Sequence, residues 1–323
     1  MADYLKKIGS KDNIIACRLG QLNKETKYVL DSFGVDPPLL INNLSSADEV
    51  ILVDHNDPEQ TLQPENANVI GLIDHHALTG LATPTPLKII ANQVGCTCTI
   101  IYELFRKNDV SLSNQTAGIL LSAIISDTLL LKSESTTTED IEAFNYLTEL
   151  TNINSTKYGY EMLFAGTETS DMTEYDIITI DSKAYVVNGY PIQIANINTV
   201  NYTEILSRKQ KIIEAIDDYI IKNKKDLFVL SLKHIIDMDS IILVRGELSY
   251  VVEEAFGVEL KDNEAFLKGI TSRKSQIYPA IENAIDDLET KDEEESYDNY
   301  QKNNSEIIIG NIILILAIYL VLL

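Results

Sequence analysis

Glu49-Val50-Ile51-Leu52-Val53-Asp54-His55-Asn56 decides the fold, because its pattern recurs: twenty residues on, Val69-Ile70-Gly71-Leu72-Ile73 runs into Asp74-His75-His76. Each copy is an unbroken apolar run that ends in Asp-His. Continuous rather than alternating hydrophobicity predicts a strand covered on both faces, as in a parallel sheet. Around these runs the apolar spacing is helical at residues 26–33, closed by Gly34 with Pro37 and Pro38 beyond, and again at 99–107 and 116–131. Met1, Leu5 and Ile8 share one face of a short opening helix stopped by Gly9, and 13–17 reads as a short strand. Strands alternating with helices predict an α/β domain, a mostly parallel, doubly wound sheet.

After about residue 150 the texture changes. Gly159, Gly166 and the polar stretch 167–173 read as a linker. Short strands follow at 177–180, 184–187 and 192–197, then a long helix at 203–222, strands at 227–232 and 241–245, and a helical piece at 253–256. This predicts a second, smaller domain of mixed α+β type. The expected organisation is a metal-binding domain at 1–166, a linker at 167–173, a second domain at 174–288, an acidic polar linker at 289–306 and an apolar tail at 307–323.

Composition narrows the function. At 323 residues the chain has room for two domains, and 45% hydrophobic with 23% charged residues is ordinary globular usage. A net charge of −23 argues against nucleic acid as a partner, which needs a basic face, and is compatible with metal cations. Three cysteines, Cys17, Cys96 and Cys98, suit a reducing, cytoplasmic compartment. Cys96 and Cys98 read as core or near-core thiols. The stretch 286–298 carries eight acids against Lys291 and leads towards the apolar tail, a short candidate membrane anchor interrupted by Gly310 and Asn311.

The chemistry gathers at the strand ends. Three of the four histidines, His55, His75 and His76, lie in the two Asp-His clusters. In a parallel sheet the C-terminal strand ends share one edge, where ligands bind. Carboxylates beside imidazoles suit a borderline divalent metal such as manganese, iron or zinc. A helix cap would explain the acids but needs no histidine. Asp127, inside the apolar run 120–131, is a third carboxylate that must be paired or bind a metal if buried. Two basic pairs stand in the second domain. Arg208-Lys209 reads as a solvated helix face, whereas Arg273-Lys274 sits at a segment boundary where a guanidinium and an ammonium could clamp phosphate.

These stretches, together with 18–23, Val94-Gly95-Cys96-Thr97, 121–130 and Ser272-Arg273-Lys274, resemble the manganese-dependent family II inorganic pyrophosphatases of the DHH phosphoesterase superfamily, over roughly residues 2–288. The resemblance implies a DHH domain followed by a DHHA2 domain, a homodimer, and hydrolysis of pyrophosphate to two phosphates by water activated between two metal ions. The implied metal is Mn2+, with Mg2+ or Co2+ as alternatives. It implies Asp54 as a carboxylate bridging two metals, His75 and Asp127 as ligands, and His76 as the neighbouring catalytic imidazole on the substrate side. Lys183, Arg273 and Lys274 are the implied phosphate-binding cations. An exopolyphosphatase of the same superfamily is the alternative substrate reading, and a truncated, non-catalytic paralogue the alternative in kind. The family pattern also opens with a strand and a His-x-x-x-Asp-x-Asp motif that this sequence lacks, since its first histidine is His55. Little turnover is therefore expected of the 323-residue chain, restored when that segment is supplied. A fragment, a mis-called start and a pseudoenzyme all accommodate the difference. The tail is likewise foreign to the family, and either membrane attachment or an accidental extension accounts for it.

Overall fold

A computed structural model describes residues 1–10, 13–45, 47–58 and 67–288. The expected acidic linker and apolar tail, 289–323, lie outside the described residues. The chain divides into two compact units, Met1–Glu168 and a second that begins at Thr169.

The first unit is α/β. In order it contains α1 (Ala2–Lys7), β1 (Cys17–Arg18), α2 (Lys24–Phe33), β2 (Leu39–Leu40), β3 (Glu49–Val53), β4 (Asn68–Asp74) and β5 (Lys88–Ala91). Four helices follow: α3 (Thr97–Lys107), α4 (Asn114–Thr128), α5 (Thr138–Thr151) and α6 (Ser155–Thr167). All described strand pairing in this unit is parallel, as the apolar runs predict. It forms two sheets, β3-β4-β5 and the short pair β1-β2. The strand expected at 13–17 shrinks to two residues, because Cys17 and Arg18 alone find ladder partners, Leu39 and Leu40. β4 is the central strand and is buried along most of its length, whereas β3 is half-buried, with Leu52 its one fully covered side chain.

Helix boundaries follow local chemistry. Asn23 caps α2 by accepting from the Thr26 amide at 2.7 Å, and Gly34 ends it in the left-handed region that lacks a Cβ penalty. α4 stops three residues short of the predicted end. Leu129, Leu130 and Leu131 all take positive φ (50°, 58° and 64°), and the Thr128 hydroxyl accepts from the Leu131 amide at 3.2 Å. Apolar spacing carries no signal for such a turn. Gly159 and Gly166 belong to α6 rather than to a linker: a Cβ at Gly159 would collide with Leu130, and one at Gly166 would meet a Glu25 carboxylate oxygen at 2.8 Å. They are small for close packing.

The second unit is built on a five-stranded mixed sheet, order β10-β9-β8-β7-β6, in which only β7 and β8 run parallel. Its strands are β6 (Ser182–Val187), β7 (Tyr190–Thr199), β8 (Leu227–His234), β9 (Asp239–Arg245) and β10 (Glu264–Leu267). Alternate residues fill two cores. Ile192, Ile194, Val229 and Val244 face one side with α10 (Ser249–Phe256) and the helical stretch 278–288. Ala195, Phe228, Leu230 and Leu243 face the other, with α7 (Glu174–Thr179), α8 (Tyr202–Leu206) and α9 (Lys209–Asn223).

Three expectations about this unit are corrected by the structure. Residues 177–179 belong to helix α7, with Ile180 its C-cap, and not to a strand, because Thr173 and Asp176 form a reciprocal capping box that starts a helix just before them. The long helix at 203–222 is two helices broken at Ser207-Arg208. The break lets the Arg208 guanidinium reach the carbonyls of Thr169 (3.1 Å) and Met172 (2.7 Å) and the Glu174 carboxylate (3.0 Å). Arg208 is therefore a structural hub, and Lys209 pairs with Asp262 and Glu264 at 2.9 and 3.0 Å, so neither is a merely solvated charge.

α4, which carries Asp127, crosses α2 at Gly118, where an added Cβ would collide with the Phe33 ring. Gly118→Ala is expected to cost about 1–3 kcal/mol in urea unfolding. Combined with Phe33→Ala it is expected to recover about 1 kcal/mol as coupling, and strict additivity of the two changes would contradict the contact.

Candidate metal centre

β3 and β4 lie side by side and parallel, so their C-terminal ends meet at one edge. The Asp54 amide extends the ladder one residue past β3 by donating to the Ile73 carbonyl at 2.9 Å. Asp54 itself takes φ 68°, a left-handed conformation that aspartate tolerates better than most residues. This turns the chain at the point where its carboxylate meets the end of β4.

The end of β4 is organised by Asp74, which is fully buried. Its carboxylate accepts from Asn56 Nδ2 (2.7 Å), the His75 amide (2.8 Å), the His76 amide (3.1 Å) and His76 Nδ1 (2.8 Å). Burial pushes the Asp74 carboxyl up, but these hydrogen bonds, that of Asn56 first, outweigh it and hold the group below its ordinary value. Asn56 is equally committed: it donates to the Ala77 carbonyl at 3.0 Å and accepts from the Thr79 amide and hydroxyl at 2.7 and 3.0 Å.

Both imidazoles of the His75-His76 pair are thereby oriented. His75 Nδ1 lies 2.9 Å from the Val94 carbonyl, which can only accept, so Nδ1 carries the proton and Nε2 offers its lone pair. That Nε2 is 3.7 Å from Asp54 Oδ1. His76 donates from Nδ1 to Asp74, which leaves its Nε2 open as well, and the two rings stand edge to face at 4.1 Å. One donor atom from each of Asp54, His75 and His76 falls within 4.8 Å of the others. Asp127, at the last turn of α4, stands beside this group. Desolvation pushes its carboxyl up, and so does the charge of Asp54, while a hydrogen bond from the Cys96 thiol and the proximity of both imidazoles oppose the rise. A carboxylate beside two imidazole lone pairs, with a second carboxylate nearby, is a donor set that suits a divalent cation of borderline hardness.

Of the residues singled out by sequence, Asp54, His75 and His76 converge, and Asp127 lies near enough for its charge to act on theirs. His55 does not join them: its Nδ1 donates back to the Val53 carbonyl at 3.0 Å, and its Nε2 is buried without a hydrogen-bond partner among the described residues. The remaining three lie in the second unit. Lys183, exposed on β6, pairs in register with Ile194. Arg273 donates to the Ile194 carbonyl at 3.5 Å and to the carbonyl and carboxylate of Asp181 at 2.7 and 2.8 Å, and Lys274 follows it, exposed. Lys183 and Arg273 are thus brought to the same strand position, while the guanidinium is partly taken up by Asp181. Asn56 and Asp74 as anchors were less legible, although the Asp-His-Asn and Asp-His-His endings place them at the right edge.

The comparisons with known proteins place the chain in a family. Residues 1–124 match the DHH family N-terminal domain, and 160–284 match the DHHA2 domain. A Staphylococcus haemolyticus protein assigned as a manganese-dependent inorganic pyrophosphatase is 40% identical over 286 residues, covering 88% of this chain and 92% of that one. One from Oceanobacillus iheyensis with the same assignment is 41% identical over 282 residues, covering 87% and 91%. Among solved structures, a Methanococcus jannaschii protein assigned to the family II inorganic pyrophosphatases is 36% identical with a TM-score of 0.54, over 83% of this chain and 90% of that one. With its two domain matches, its full-length relatives and its Asp-His edge, this chain belongs to the DHH–DHHA2 family of manganese-dependent inorganic pyrophosphatases.

Proposed function

We propose that the chain is a manganese-dependent inorganic pyrophosphatase that hydrolyses pyrophosphate to two phosphates. The observation that carries this reading is the Asp54–His75–His76 cluster at the shared edge of β3 and β4 with Asp127 beside it. Asp54, His75 and Asp127 are the residues that would hold manganese. When bound, the metal supplies Lewis acidity and a water of lowered pKa.

The side chains do the rest of the work. Pyrophosphate is a compact polyanion, and its charge must be offset before an oxygen nucleophile can approach. Lys183, Arg273 and Lys274 supply positive charge for its phosphoryl oxygens, with Arg273 suited to bidentate contact once it exchanges Asp181 for phosphate. His76, held through Nδ1 by Asp74, presents Nε2 to the substrate as a proton carrier for an oxygen of the phosphate. No side-chain nucleophile is required.

Phosphate release from pyrophosphate tests the reading. It is measured with Mn2+ and after chelation, on the 323-residue chain and on the same chain preceded by a strand and a His-x-x-x-Asp-x-Asp segment. Release is expected only with metal. Absence of metal-dependent release from both would overturn the proposal, and faster cleavage of longer polyphosphate than of pyrophosphate would move it to the exopolyphosphatases. The two histidines are expected to separate. His75→Gln weakens Mn2+ binding at least about tenfold. His76→Gln leaves binding nearly unchanged and lowers kcat about a hundredfold, as measured by Mn2+ titration beside steady-state kinetics.

A further inference from the structure

One fully buried acid of the first unit has no part in the chemistry described so far. Asp140, in the first turn of α5, has no exposed surface, yet no cation faces it among the hydrogen bonds and ion pairs of the described residues. Four donors converge on its carboxylate. Oδ2 accepts from the Thr137 amide and hydroxyl, both at 2.8 Å, and from the Gly95 amide at 2.7 Å; Oδ1 accepts from the Thr99 hydroxyl at 2.5 Å. The bond from the Thr137 amide is half of an ordinary capping box, whose other half is the Asp140 amide donating to the Thr137 hydroxyl at 3.3 Å. The two from Gly95 and Thr99 reach 45 and 41 residues back along the chain, to the start of α3.

The segment that Asp140 grips is the one that touches the metal centre. Val94, Gly95 and Cys96 are consecutive and lead into α3. The Val94 carbonyl takes the proton of His75 Nδ1 at 2.9 Å. The Gly95 amide is held by Asp140. Cys96 caps α3, its sulfur accepting from the Cys98 amide at 3.3 Å. Gly95 has no room to be anything else: an added Cβ would lie 2.7 Å from Asp140 Oδ2 and 2.9 Å from Thr128 Cγ2.

We infer that Asp140 is a positioning residue for the metal centre, fixing His75 in its Nδ1-protonated form by holding the Val94–Gly95 peptide in place. The inference rests on the proposed role of His75 as a ligand. Its chemistry is that of an outer partner that sets the tautomer and direction of a ligating imidazole, here relayed through one backbone segment instead of a direct bond. α5 thereby acts on an imidazole with which Asp140 makes no hydrogen bond.

The test uses the full chain and two readouts other than turnover. The His75 tautomer is read by long-range 1H–15N correlation in the metal-free protein, and Mn2+ affinity by electron paramagnetic resonance titration. In Asp140→Ala the Nδ1–H preference of His75 is lost and Mn2+ affinity falls about tenfold or more. Asp140→Asn keeps an acceptor for Gly95 while the Thr99 hydroxyl reverses to accept from the new amide, so it recovers both signals to within about threefold of the parent. Thr137→Ala removes the capping hydroxyl and its bond to Asp140 but leaves the bonds to Gly95 and Thr99 in place: it lowers the melting temperature and moves neither readout. If Asp140→Ala does not fold, Gly95→Ala, which displaces Oδ2 by its methyl group, carries the same comparison. A folded Asp140→Ala with unchanged tautomer and affinity overturns the inference, as does an equal loss in Thr137→Ala. A parent protein with the expected tautomer but no Mn2+ binding would instead overturn the metal-centre reading and leave the positioning of His75 standing.

Discussion

A carboxylate removed from water must be satisfied by donors or it costs several kcal/mol, and the way Asp74 is satisfied governs the rest of the metal edge. Three of its hydrogen bonds come from the two residues that follow it and the fourth from Asn56, just beyond the end of the neighbouring strand. One buried group therefore ties two strand ends together and fixes the direction of His76. The Asn56 amide passes the constraint on to Ala77 and Thr79. Among the described residues no lysine or arginine pairs with Asp74. It leaves Asp54 and the two Nε2 atoms as the groups that face outward.

Backbone conformation serves the same end. Asp54 and the three leucines after Asp127–Thr128 all take positive φ. Such conformations cost roughly 1–2 kcal/mol each for residues with a Cβ, and they persist where surrounding structure over-determines them. Here they mark the two places at which a regular element ends on a site carboxylate: β3 at Asp54, and α4 in the turn of Asp127. The sheet and the helix each supply an acid from a terminus, and the segment 94–96 holds His75 through the Val94 carbonyl.

What could be read from sequence followed from periodicity and from scarce residue types. The twin apolar runs identified β3 and β4, and histidines are few enough that three in two Asp-His endings signalled a site. Asn23 and Gly34 bracketed α2 as caps should. The failures have a common cause, which is contact between residues distant in sequence. Gly159 and Gly166 looked like linker residues because the side chains that exclude a Cβ, Leu130 and Glu25, lie far back along the chain. Arg208 looked solvated because its acceptors are carbonyls 36 and 39 residues earlier. The grip of Asp140 on Gly95 was invisible for the same reason. At residues 177–180 a β-branched run outweighed the capping box that precedes it, and the helix won because its first turn is satisfied locally.

The central claim is that the edge shared by β3 and β4 is a metal centre. Anomalous diffraction at the manganese absorption edge, from crystals of the chain grown with Mn2+, tests it most directly. The account predicts a strong peak in bonding contact with the Asp54 carboxylate and His75 Nε2 and beside Asp127. Manganese bound elsewhere in the chain, with no peak at this edge, would contradict it.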